Sequence, residues 1–422
     1  MPAQPRARRG WPARLLLPAG ADADAWRLLA ARGLRALADG TMAVLLPAYL
    51  LALGLGTVEV GVVATTTLLG SALATLAVGT WGHRIAHARL LRAAAVVMAA
   101  TGLGFAGFSS LWPLLVVAFL GTLNPSAGDV SVFLPLEHAK LAAAAAGASR
   151  TALFARYSVI GAVCAALGAL ATGLPDLLVR AFAWPRLDAM RAMFVLYAVI
   201  GGLVWLLYRQ PPAQQVEARA AHAAPPAPPA PLGPSRGIVI RLAALFSVDA
   251  FAGGLVVNSL LSLWLLQRFG LSLAQAGAFF FWTGLLSAAS LLAAPGVARR
   301  FGLLNTMVFT HIPANVCLVL AALAPNLPLA LGLLFVRSAL SQMDVPTRSA
   351  YVMAVVTPAE RPAAASFTAV PRSLAAALSP ALSGALFAAG WFAAPLLACG
   401  VIKIAYDLAL WRACLRDKLG EH

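Results

Sequence analysis

The chain has 422 residues, of which 61% are hydrophobic and only 11% charged, and its mean hydropathy is +0.84. A water-soluble surface cannot be assembled from so few charges, so a globular cytosolic protein is excluded. The formal charge of +16 does not indicate nucleic-acid binding either: the basic residues are scattered among short connections and the first 35 residues instead of forming one stripe.

In chain order, Arg6, Arg8, Arg9 and Arg14 come first, followed by an apolar run of only Leu15 to Leu17 that Pro18 ends. That run is too short for a signal-peptide core, so residues 1–33 are expected to be a cytoplasmic tail. Apolar windows then predict membrane helices at 34–56, 58–80, 92–109, 112–136, 151–174 and 191–208. A second set is predicted at 241–266, 274–298, 303–324, 328–356, 363–388 and 393–411. A helix of about 20 apolar residues crosses roughly 30 Å of hydrocarbon while satisfying its own backbone. The windows from 112 and 328 exceed that length and are expected to be tilted, kinked at Pro125 and Pro346, or extended beyond the membrane.

The fold class expected is therefore an all-α polytopic membrane protein, twelve transmembrane helices in two six-helix halves. The halves span 34–208 and 241–411, with a Pro-rich cytoplasmic linker at 209–240 and a cytoplasmic tail at 412–422. Arg and Lys concentrate on the side that places both termini in the cytoplasm. Arginine's excess over Lys140, Lys403 and Lys418, with abundant alanine, suggests a GC-rich bacterial genome and hence the inner membrane.

The halves repeat each other. A shift of 210 places Asp39 on Asp249, and a shift of 216 places Gly61 on Gly277, Ser71 on Ser287, Arg84 on Arg300 and Arg156 on Arg372. Asp129 falls one residue from Asp344. Charges are rare in apolar helices, so ordered matches at nearly constant shift imply duplication.

No G-x-x-x-x-G-K-[ST] loop is present, which leaves an ion gradient to drive any uphill transport. Cys164, Cys317, Cys399 and Cys414 are dispersed, without metal-ligand spacing, so neither a disulfide framework nor a metal site is expected. Facing His/Glu or Ser/His constellations are lacking too, and an enzyme is not expected.

The connection between helices 2 and 3 reads Gly79-Thr-Trp-Gly-His83-Arg84-Ile-Ala-His-Ala-Arg89, and Ala298-Arg299-Arg300-Phe301-Gly302 is its degenerate counterpart. With the two parallel halves, these segments resemble the major facilitator superfamily and its G-x-x-x-D-R-x-G-R-R motif. His83 stands where the family has Asp, and Ala86 where it has the second Gly. Segments 301–311 and 341–348 look like a poorly characterised permease branch of that superfamily. The G-x-x-x-G-P-x-x-G-G signature of drug antiporters is absent.

The resemblance implies a substrate cavity between the halves, lined by helices 1, 4, 7 and 10. Ionisable groups in a bilayer cost about 2.5 to 3.5 kcal/mol each on insertion scales and so mark function or a structural pair. Asp39, Asp129, Asp249 and Asp344 are the candidate proton carriers. Asp344 can pair with Arg348 one turn away, and Asp129 with Arg156 on the next helix, which favours Asp39 and Asp249. Arg84, Arg300, Arg156, Arg372 and Arg348 are candidates for a cytoplasmic gate. Tyr49, Asn124, Asn258, Ser262, Arg337, Ser338 and Gln342 are candidate cavity lining. Lys403 and Asp407 share a face of helix 12 and are expected to pair, and His311 is expected to be a packing residue.

The function expected is secondary active transport of a small organic solute by alternating access, as proton-coupled export by an antiporter. Uptake, facilitated diffusion and a non-transporting membrane sensor are the alternatives. The expected partners are a small-molecule substrate, membrane lipid and protons. Nucleic acid and cofactors are not expected, and the chain is expected to act as a monomer.

Overall fold

In the computed structural model the described residues are 17, 22, 25–126, 132–145, 147–209, 233–357 and 360–419, and among them there are helices but no strand. The first half begins with α1 (Trp26–Ala52), α2 (Thr57–Trp81) and α3 (His87–Gly107), followed by a broken pair, α4 (Leu111–Leu120) and α5 (Phe133–Ala144). It ends with α6 (Gly147–Leu170), a short α7 (Leu174–Phe182) and α8 (Arg186–Arg209). The second half has a broken pair α9 (Arg236–Gly254) and α10 (Asn258–Phe269), then α11 (Leu273–Phe301) and α12 (Leu303–Ala322). A second broken pair, α13 (Leu327–Leu340) and α14 (Asp344–Val355), precedes α15 (Arg361–Ala388) and α16 (Ala394–Leu419).

Among the described residues, nine helical segments are long and apolar enough to cross a membrane, one of them the pair α9–α10. The pairs α4/α5 and α13/α14 and the helix α15 complete the bundle.

One packing pattern appears twice. In the first half α1 packs on α6 and α8, α3 on α8, and α2 on α4. In the second, α9 packs on α15 and α16, α12 on α16, and α11 on α13. Helix packing in lipid depends on close backbone approach, which small residues allow. Thus Gly40 and Gly168 bring α1 and α6 so close that a Cβ on either would lie about 2 Å from a carbonyl oxygen of the other helix. Thr41 Oγ1 donates to the Gly168 carbonyl at 2.7 Å across the same seam. In the second half Ser379 and Ser383 on α15 donate to the carbonyls of Phe251 and Leu255 at 2.6 and 2.8 Å.

The halves meet at one end of the bundle. Gly61 of α2 lies against Pro380 and Gly384 of α15, and Gly277 of α11 against Ala169 and Thr172 at the end of α6. Ala381 N–H donates to Thr65 at 2.9 Å, and Ser262 to the Val44 carbonyl at 3.0 Å. These contacts sit near the connections 53–56, 171–173 and 389–393. They close the bundle at that end and leave a cavity between the halves.

Helix α1 begins at Trp26, not at 34, because Arg27, Arg32 and Arg35 lie within it and the latter two turn inward. Asp39 is consequently at mid-helix, not near an end. The expected window 112–136 is two helices separated at Gly121–Ser126, and 328–356 is interrupted at Ser341–Met343, ahead of Pro346. Pro346 sits in the first turn of α14, where its missing N–H leaves no bond unmade. Helix α7 was not anticipated. Most of the linker, residues 210–232, lies outside the described residues, as do most of 1–24 and residues 127–131.

Candidate functional site

The central cavity, of about 580 Å³, is lined mainly by α1, α6, α9, α11 and the α13–α14 break. That volume suits a drug-sized solute. Its floor and walls are largely small or apolar: Gly161, Ala162 and Ala165 on α6, and Phe279 and Phe280 on α11. Against them stand Asn258, Asn315, Ser338, Ser341 and Gln342.

The charged groups are concentrated on the wall of the second half. Asp249, buried at mid-helix, accepts from Lys403 Nζ at 2.5 Å and from Arg348 NH1 at 3.1 Å. Arg348 also reaches Asp344 Oδ2 at 3.2 Å, so two carboxylates and two cations form one network joining α9, α14 and α16. His311 Nδ1 lies 3.0 Å from both carboxylate oxygens of Asp407 behind it. Lys403 therefore pairs with Asp249 and not with Asp407, a correction to the pairing expected along α16. Lys403 reaches Asp249 on α9, while Asp407, one turn on, meets His311 on α12. His311 is a hydrogen-bond partner of Asp407 at the cavity wall and more than a packing residue.

Asp39 faces the cavity from α1. Its Oδ1 accepts from Tyr197 at 3.4 Å, and Tyr197 in turn contacts Thr122 at 3.3 Å. Among the described residues Asp39 forms no salt bridge. Asp249, grouped with it as unpaired, instead has two cations. Asp129 lies outside the described residues.

Arg337 and Arg372 also line the cavity, and the Nε of each is buried without a hydrogen-bond partner. The gate candidates separate: Arg348 and Arg372 face the cavity, whereas Arg84, Arg300 and Arg156 are exposed. Arg84 sits in the tight turn 82–84 that joins α2 to α3, and Arg300 ends α11 beside the Phe301 ring. Arg156 has its expected partner outside the described residues.

Four lining candidates reach the cavity: Asn258, Arg337, Ser338 and Gln342. Three do not. Tyr49 is buried and donates to the Phe105 carbonyl at 2.5 Å, Ser262 donates to Val44, and Asn124 accepts from the backbone and hydroxyl of Ser126 at 3.0 and 2.7 Å. In lipid a polar side chain without water takes a nearby backbone or side-chain partner: Tyr49 and Ser262 take carbonyls, and Asn124 takes Ser126. Arg32, His311, Asn315 and Lys403 are lining residues that the helix numbering did not suggest. For Lys403, the signal available was a cation inside a span with an acid, Asp249, on another helix.

The first half has a charge cluster of its own, away from the cavity. Arg35 donates to Glu137, and the hydroxyls of Tyr208 and Tyr157, the latter at 2.5 Å, donate to the same carboxylate. Arg35 also lies 4.1 Å over the Phe133 ring. Neither Arg35 nor Glu137 was singled out in the sequence, because both appeared to lie outside or at the end of a span.

A multi-pass helical bundle whose packing pattern repeats and which encloses a charged cavity between the repeats is the architecture of a solute-translocating membrane protein. The sequence profile described as Major Facilitator Superfamily matches residues 28–341, and the chain belongs to that superfamily. It is 25% identical to an uncharacterized membrane protein of Saccharomyces cerevisiae, over 94% of each chain. Among solved structures it is similar to the nucleoside transporter NupG (TM-score 0.69, 13% identity, covering 92% of this chain and 98% of that one). It is also similar to the xylose transporter XylE from E. coli in an inward-open conformation (TM-score 0.68, 15% identity, covering 92% and 96%). At these identities the structural likenesses establish the fold. The chain is a multi-pass membrane protein and a transporter of a solute.

Proposed function

We propose that the chain is a secondary active transporter that exports a small organic solute by alternating access in exchange for protons. In this reading it is a monomer in a bacterial inner membrane with both termini in the cytoplasm, and it needs no cofactor and binds no nucleic acid. The end closed by Gly61, Gly277 and Gly384 is then the outer one, and the cavity belongs to an inward-facing state.

The observation that carries the reading is Asp39. It is the cavity carboxylate that forms no salt bridge among the described residues, with Arg32 and Arg35 acting on it only from a distance, whereas Asp249 and Asp344 are each gripped by Arg348. A carboxyl on a water-filled wall, hydrogen-bonded by one tyrosine, is free to take up a proton on one side and release it on the other. Alternating access supplies the two sides.

The test is efflux from proteoliposomes against an imposed pH gradient. Wild-type protein and the Asp249→Asn and Asp344→Asn variants are expected to keep gradient dependence even where their rate falls, and Asp39→Asn to lose it while still exchanging solute. Wild-type flux indifferent to the gradient, or gradient-driven accumulation retained by Asp39→Asn, would overturn the assignment.

A further inference from the structure

Among the described residues the charges lining the cavity do not balance. Arg32, Arg337, Arg348, Arg372 and Lys403 line it against three carboxylates, Asp39, Asp249 and Asp344, a formal excess of two positive charges among the described residues. The network on the second half's wall uses Lys403 and Arg348 to neutralise Asp249 and Asp344. Arg337 and Arg372 remain outside it. Neither forms a salt bridge or hydrogen bond from its side chain among the described residues, and the Nε of each is buried and unpartnered. Arg337 has the thiols of Cys317 and Cys399 as its titratable neighbours and no carboxylate.

A guanidinium stays charged in proteins, and holding one inside a bilayer without a counter-ion costs several kcal/mol. Structural arginines avoid that cost, as Arg35 does with Glu137 and the Phe133 ring. Arg337, with no salt bridge among the described residues, and Arg372, which feels Asp249 and Asp344 only from beyond salt-bridge distance, form a site in the wall of one cavity that can take an anion. Guanidinium forks match carboxylate and phosphate oxygens, and the low-dielectric surroundings strengthen the pairing. Around Arg337 the α13–α14 break supplies neutral donors, Ser341 and Gln342. Phe279 and Phe280 offer an apolar wall to the remainder of the solute.

We infer that the transported solute is a small organic anion, its carboxylate, sulfonate or phosphate group taken by Arg337 and Arg372 and its apolar body laid against α11. The inference rests on the transport reading and names the substrate class. It also fits export electrically: with the inside negative, an outward anion and an inward proton are driven by the same field, worth about 2.3 kcal/mol per charge per 100 mV.

The experiment uses the full chain in nanodiscs and in proteoliposomes with four probes of one shape: 1-naphthoate, 1-naphthyl phosphate, 1-naphthalenemethanol and 1-naphthylmethylamine. Thermal unfolding is expected to be shifted upward by the two anions and by neither of the others. That shift is expected to be lost in Arg337→Gln, partly kept in Arg337→Lys, and weakened about tenfold in apparent affinity in Arg372→Gln, as for one charge-assisted hydrogen bond. Circular dichroism checks that the variants fold. Stabilisation by the alcohol or amine equal to that by the anions, an anion effect that survives in the Arg337→Gln/Arg372→Gln double variant, or no stabilisation by any probe would overturn the inference. Counterflow separates it from the transport reading: exchange of the amine or alcohol but not the anions keeps a transporter and removes the anion site. Binding of the anions without exchange keeps the site and removes transport.

Discussion

The two halves carry comparable charge in different ways. In the first, Arg35 and Glu137 are closed against Tyr157, Tyr208 and Phe133, away from the cavity. In the second, Asp249, Asp344, Arg348 and Lys403 form the cavity wall itself, with Arg337 and Arg372 beyond them. The first cluster satisfies every oxygen of its carboxylate and ties α5 to α1, α6 and α8, which is the task of a structural bolt. The second leaves cations over among the described residues, since Arg337 and Arg372 line the cavity without a salt bridge. The first half thus buries Arg35 and Glu137 and presents only Asp39 and Arg32 to the cavity, whereas the second presents a joined network of Asp249, Asp344, Arg348 and Lys403.

The largest effect expected comes from breaking the bolt. Glu137→Ala strands a buried guanidinium and is expected to cost about 3 to 5 kcal/mol, read as a fall in thermal stability in detergent. The Arg35→Met/Glu137→Leu pair is expected to recover most of that loss, with flux per folded molecule near the wild-type value. Flux abolished in a stable double variant would remove the distinction between the halves. The next largest effect falls on the cavity side. Asp249→Asn weakens two charge-assisted hydrogen bonds at about 1.5 to 3 kcal/mol each, softened here because cavity water can solvate Lys403 and Arg348. The expected signature is the reverse of the bolt's: a loss of flux that outweighs the loss of stability, in the same paired assay.

The all-helical membrane fold and the superfamily were legible because hydropathy and rare charges survive in a single sequence, as with Asp39 and Asp249. Which face a residue occupies was not. Tyr49 and Ser262 have the composition of cavity residues but turn to carbonyls of neighbouring helices, a choice made by tertiary packing. Lys403 was paired with Asp407 because both lie on one helix one turn apart, whereas the acid on α9 sits closer once the bundle forms. Arg35 and Glu137 were lost with the helix ends, since a charge inside a span resembles a boundary until its partner is found.

A smaller effect is expected at the contact between the halves. A Cβ on Gly61 would lie 2.6 Å from the Pro380 carbonyl oxygen, so Gly61→Val is expected to wedge α2 from α15 at about 1 to 3 kcal/mol. Alkylation of a cysteine at Thr65 (Thr65→Cys) in a cysteine-free background is expected to accelerate several-fold in that variant. An unchanged rate would show that the seam gives elsewhere, and that neither half is held rigidly at the closed end.

The smallest effect concerns the return of the linker to the second half, on the soluble side of both charge clusters. Glu360 accepts from Gly233 N–H and Ser235 N–H, and from the hydroxyls of Ser235 and Thr357 at 2.7 and 2.6 Å. These donors hold its carboxyl at about 2, below the ordinary 4.5. A depressed carboxyl contributes its stabilisation above the unfolded value and loses it as pH falls, here from about 4.5 toward 2. Amide exchange at residues 233–236 is therefore expected to be protected at pH 6 and to lose that protection as pH is lowered through this window, after correction for intrinsic rates. Glu360→Gln keeps the shape but removes the anion, so it is expected to show weaker protection at pH 6 and little further change with acid. The effect is confined to the attachment of the linker, because neither Arg35–Glu137 nor the cavity network shares a group with it. Acid sensitivity retained in Glu360→Gln would place the titrating group elsewhere and leave the tether a matter of backbone geometry alone.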